Sequence, residues 1–156
     1  MENKEKPIKT YVEILRNDLT QLFAFFEQGL NDNKMVYEFW DAKDVLGHLT
    51  FWHESFARNI SDLGQGIKPN PLTGKLSEVN KQSVETTTHE STENLIQRMK
   101  HAQNTIEAFI FEDTIDKIPY KKGSRDYSKI EHLEIVSNHI RKHLKDIRKT
   151  YGQTKK

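Results

Sequence analysis

Apolar residues recur along most of this chain at three- and four-residue steps, the spacing of one face of an α-helix. Tyr11, Ile14, Leu15, Leu19, Leu22, Phe25 and Phe26 predict a first helix over 11–28. Thr10 and Glu13 fit a capping box before it, and Gly29 a stop. Asp18 falls on the same stripe, an unusual place for a carboxylate. A second helix starts at Asp41, with Asp44 in its first turn and Trp40 and Val45 placed as a hydrophobic staple. Val45, His48, Leu49, Trp52, Phe56, Ile60 and Leu63 line its face, and Gly64 and Gly66 close it. The segment 64–74 reads as a loop, with three Gly and two Pro.

A third helical region runs over 76–111. Its first part is polar, so a break is expected near Thr88; Leu95, Met99, Ala102, Ile106, Phe109 and Ile110 give the second part a stripe. A polar connection over 112–127 contains Pro119 and Gly123, and Lys121, Lys122 and Arg125 read as a solvated loop. Ser128 and Glu131 then form a capping box for a last helix carrying Ile130, Leu133, Ser137, Ile140, Leu144, Ile147 and Tyr151. No run reads as a strand. The pattern predicts an all-α four-helix bundle over 8–151 with a long connection between the second and third helices. Segments 1–7 and 152–156 are expected to be flexible termini.

Composition fits this picture. The chain has 156 residues, 35% hydrophobic and 30% charged, with a formal net charge of +1. Four one-sided helices need no richer apolar content. The absence of cysteine excludes disulfides, thiolate metal sites and a cysteine nucleophile. No stretch approaches 18 apolar residues, so no membrane span is expected, and the charged start lacks a signal-peptide apolar region. A cytoplasmic location follows as the expectation. Near-zero net charge gives no reason to expect nucleic-acid binding.

Seven histidines remain. On an ideal helix, with His132 at zero, His139 lies at about −20° and His143 at about +20°. All three share a strip at the edge of the last helix's apolar face. His139 and His143 are spaced i, i+4, which lets two imidazoles reach one ion, and His48 offers a third from across the bundle. Imidazoles suit Zn, Ni or Fe. The alternative is that these are half-buried histidines with hydrogen-bond partners. Trp40, Trp52 and Phe56 are core residues or the walls of a ligand pocket. Asp18 either orients a ligand histidine or makes another polar contact. His53 is expected at the flank of its stripe; His89 and His101 read as surface residues.

The block Trp40-Asp41-Ala42-Lys43-Asp44-Val45-Leu46-Gly47-His48-Leu49, followed by Trp52-His53, resembles the second-helix signature of the ClbS/DfsB-type bundles in the DinB/YfiT-like superfamily. Ser137-Asn138-His139 and Leu144-Lys145-Asp146-Ile147-Arg148 resemble that family's last helix, and His143 adds an HxxxH spacing. The resemblance covers about residues 8 to 150. It implies a DinB-type bundle and, from metal-dependent members, a divalent ion on His48, His139 and His143. It also implies an enzyme acting on an electrophilic small molecule in detoxification or self-protection, as a hydrolase or with a low-molecular-weight thiol cosubstrate. Such transferases often carry Gln three residues beyond the second histidine of the last helix; this chain has Asp146. Two alternatives stand beside that reading. One is a metal-free ClbS-like hydrolase or ligand-sequestering bundle. The other is a non-enzymatic homodimeric bundle.

Overall fold

A computed structural model of the chain describes residues 7–153. Five helices carry the fold: α1 (Ile8–Phe26), α2 (Ala42–Gly64), α3 (Leu76–Glu85), α4 (Thr92–Phe109) and α5 (Lys129–Thr150). The four long ones form the expected bundle. Helix α1 packs beside α5 and α4, and α2 packs beside α4 and α5. Leu15, Leu22, Leu46, Ile60, Leu95, Met99, Ile106, Leu133 and Ile140 fill the interior. The break expected near Thr88 falls at 86–91 and leaves α3 as a short helix lying on α2.

The helix starts bear out the capping logic in two places. Asp41 and Asp44 exchange backbone and side-chain hydrogen bonds at the head of α2, and Ser128 and Glu131 do the same at α5. The box expected at Thr10 and Glu13 does not form. Pro7, with φ −63° and no N–H to satisfy, lets the helix begin at Ile8 without a side-chain cap. Helix α1 ends at Phe26, two residues before the expected limit, and Gly29 follows at φ 77°. A short antiparallel pair, β1 (Lys117–Ile118) with β2 (Tyr127–Ser128), leads into α5. Two-residue strands have no alternation to detect, so the pattern of apolar positions missed them. This connection pins the 64–74 loop: Lys122 N donates to the Leu72 carbonyl, and Lys121 Nζ to that of Gly74.

Of the segments expected to be flexible, 1–6 and 154–156 lie outside the described residues. Pro7 accepts from Thr10 N, and Gln153 bonds to Arg148 and Gln28. Among the described residues, no helix is long and apolar enough to cross a membrane.

Helix α3 sits close to α2 because Gly47 has no side chain. A Cβ there would stand 2.1 Å from Thr87 Oγ1. That hydroxyl is held by the Ser83 carbonyl at 2.7 Å, so it has no free direction to move. This close approach brings Ser83 to the residue next to Gly47, His48.

Candidate metal centre

Helix α2 contributes His48, and successive turns of α5 contribute His139 and His143. Their ligand atoms lie within 4.8 Å of one another. His139 Nε2 stands 3.1 Å from His48 Nε2 and 3.1 Å from His143 Nε2. His48 and His143 are buried and His139 is half-buried. Burial is the main force holding all three imidazoles neutral. It lowers the pKa of His48 to about 2, with His139 and His143 adding to the effect. It lowers His139 and His143 to about 4 each.

The partners of these rings fix which nitrogen carries the proton. The Ser83 hydroxyl donates its one proton to the Asn80 carbonyl at 2.5 Å. Its oxygen, 2.9 Å from His48 Nδ1, therefore accepts from that nitrogen. His48 Nε2 is left as a bare lone pair. Tyr37 repeats the logic. Its hydroxyl donates to Asp146 Oδ2 at 2.5 Å, and burial followed by that carboxylate keeps the phenol protonated. Tyr37 Oη, 2.8 Å from His143 Nδ1, then accepts, so His143 Nε2 is also bare. Two lone pairs thus face the third imidazole nitrogen. A proton on His139 Nε2 satisfies one of them and leaves the other unmatched.

A single cation at their centre would satisfy all three. Nitrogens bound tetrahedrally to Zn²⁺ at about 2.0–2.1 Å stand about 3.3 Å apart. The two 3.1 Å separations need little adjustment to reach that, while His48 and His143, whose ligand atoms are within 4.8 Å, close on the ion from either side of His139. Three neutral nitrogen donors, with their outer nitrogens tied to a hydroxyl and to a phenol–carboxylate pair, fit an ion that keeps a position open.

The other expected site residues are more scattered. Trp40 tilts over the His48 ring, with centroids 4.8 Å apart, and also packs against the core. Trp52 and Phe56 line an interior pocket that reaches His139. Trp52 also stacks on Tyr120 at 4.9 Å and donates to Asn80 Oδ1 at 2.9 Å. Asp18 takes the second of its expected roles, a polar contact away from the histidines. Arg141 Nε binds both of its carboxylate oxygens, at 3.0 and 3.1 Å. Arg141 is two residues from both ligands, about 200° around α5, so this pair faces away from them. Asp18 and Arg141 line a groove of about 990 Å³ between α1 and α5 that contains none of the three histidines.

The supports that sequence reasoning missed are Tyr37 and Ser83. Tyr37 lies in the non-periodic connection before α2. Ser83 had a signal: Val79, Ser83 and Thr87 recur at four-residue steps and are all buried. Tyr37→Phe is expected to weaken Zn²⁺ binding roughly 10–100-fold, because His143 loses the acceptor that fixes its tautomer. Competition against a chelating indicator measures this, and an unchanged affinity overturns the tautomer assignment.

The same arrangement of helices occurs in known proteins. No protein-family model matches the chain, and no curated protein sequence does. Among solved structures it is similar to the mycothiol-dependent maleylpyruvate isomerase, with a TM-score of 0.73 at 12% identity. A variant of that enzyme with a histidine replaced by alanine matches with a TM-score of 0.72 at 11% identity. Each likeness covers 91% of this chain and 61% of the other. The chain therefore spans about three-fifths of the length of the structures it matches. At these identities the likeness establishes the fold.

Proposed function

We propose that this protein is a metal-dependent enzyme of the DinB-like type that joins a low-molecular-weight thiol to the conversion of an electrophilic small molecule. The observation that carries the reading is the convergence of His48, His139 and His143 through Nε2, with the outer nitrogens of His48 and His143 already committed to Ser83 and Tyr37. The sequence resemblance to the DinB/YfiT-like superfamily and the fold shared with a mycothiol-dependent isomerase support the same class.

In this reading His48, His139 and His143 hold the ion. A bound divalent ion lowers the pKa of a thiol or water beside it and polarises a substrate oxygen. The chain's own residues prepare that setting. Ser83 and the Tyr37–Asp146 pair keep two imidazoles in the ligating tautomer. Trp40 shields His48 from water. The chain has no cysteine, so the thiol comes from a cosubstrate.

The test uses protein loaded with Zn²⁺ or Ni²⁺, with mycothiol as the thiol and maleylpyruvate and a small epoxide as electrophilic probes. Conversion is expected to stop when the thiol is omitted or a chelator is added. Conversion indifferent to both, or no conversion of either probe, overturns the reading.

A further inference from the structure

A second pair of imidazoles lies next to the metal centre and takes no part in it. His53 and His132 are each only 2% exposed. Both line the interior pocket that also reaches His139, whose volume is about 20 Å³. His53 Nε2 is 2.8 Å from Gln103 Oε1. Gln103 is oriented by its amide donating to Glu107 Oε2 at 2.9 Å, so its oxygen faces His53 and His53 Nε2 donates. His53 Nδ1 is then a bare lone pair, buried, with no partner among the described residues. Neither nitrogen of His132 has a hydrogen-bond partner there either. The Pro119 carbonyl near this ring favours its protonated form but makes no hydrogen bond of acceptable geometry; Asn59 Nδ2 binds it at 3.2 Å. The ring is held in place by stacking on Phe56, with centroids 4.1 Å apart.

Buried polar atoms are almost always satisfied. Three such nitrogens, on two residues that line one small pocket, therefore bear on the chemistry of what belongs in it. An anion would meet the lone pair of His53. A cation would find at most one bare nitrogen on each ring and no carboxylate among the lining residues, too few ligands to hold it. An apolar group would leave every nitrogen unmatched. A hydroxyl answers two of the three, because it donates to His53 Nδ1 and accepts from the one N–H of a neutral His132. The volume suits one such group, since a water needs about 10–15 Å³ of this kind of space.

We propose that His53 and His132 form a polar subsite that holds one neutral hydroxyl-type group, a water molecule in the free protein and the hydroxyl of a ligand that reaches past His139. Only the ligand half rests on the enzymatic reading above; the water half stands without a metal.

The test is a high-resolution crystal structure of the full-length protein, with and without added Zn²⁺. An oxygen is expected at about 2.6–3.2 Å from both His53 Nδ1 and one nitrogen of His132, irrespective of the metal. No oxygen there, or one touching a single imidazole, overturns the proposal. A methanol soak tests the ligand half. Methanol oxygen at that point supports it, whereas retained water shows a structural water alone and overturns that half. In solution, His132→Phe keeps the stack on Phe56 but strands His53. Its Tm is expected to fall by about 2–4 °C with metal content unchanged, while an unchanged or raised Tm speaks against a bridged pair and overturns it.

Discussion

His139→Ala is expected to abolish stoichiometric metal binding while leaving the metal-free fold intact. His139 is the shared neighbour in the cluster, since its Nε2 stands 3.1 Å from each of the other two ligand nitrogens. Structural Zn²⁺ sites with four ligands have apparent binding free energies of about 10–16 kcal/mol. Divided among four ligands, that is roughly a hundred- to a thousandfold in affinity for each. The variant should therefore fall from about one ion per chain to a small fraction under the same loading. Protein purified without a His tag, loaded with Zn²⁺ or Ni²⁺ and dialysed, gives the count by elemental analysis. The stabilisation by added metal should vanish with it, because an ion that binds only the native state raises Tm through its affinity. The metal-free Tm should fall by only a few degrees, since alanine removes the donor that satisfies one of the two lone pairs. Sub-stoichiometric metal in the unaltered protein, under the same loading, rejects the centre.

Much of this centre was legible before the fold was known, for a specific reason. The i, i+4 spacing of His139 and His143 is a local property of one helix, and helical geometry alone puts both on one face. The place of His48 on the stripe of α2 is equally local. What the sequence could not carry was the set of contacts that depend on non-periodic segments. Tyr37 reaches His143 from a connection without regular structure, 106 positions away in the chain. Ser83 reaches His48 from a helix so polar that its buried stripe reduces to Val79, Ser83 and then Thr87 beyond its end. The partner of Asp18 stayed undetermined for the converse reason. Its place on an apolar stripe correctly marked a buried carboxylate, but periodicity in α1 does not say which face of α5 supplies the partner. His53 lies one position beyond the stripe of α2, yet it is buried because α4 brings Gln103 against it.

The fold is expected to lose stability steeply as the pH falls from about 6.5 towards 4, and His53 and His132 give the sign without reference to any metal. Burial lowers the pKa of each ring to about 4. Gln103 and Glu54 partly oppose this at His53, and the Pro119 carbonyl does so at His132. In the unfolded chain the same imidazoles titrate near 6.5. Between those values the unfolded state binds protons that the native state refuses, so falling pH favours unfolding. The contribution is complete above about pH 6.5 and is lost as pH drops through the interval, on the order of 3 kcal/mol for each ring. Their surroundings relieve that charging only in part: His132 sits among Phe56, Tyr120 and Tyr127, and the hydrogen bond of His53 is to a neutral amide. In the metal-free protein His48, His139 and His143 titrate in the same direction and steepen the loss. Urea midpoints measured from pH 7.5 to 5 should hold down to about pH 6.5 and then fall continuously. In His132→Phe the decline should be shallower by about one proton, because one of the rings that must charge is gone. A flat profile, or an equal slope in the variant, shows that these rings are not held neutral by burial.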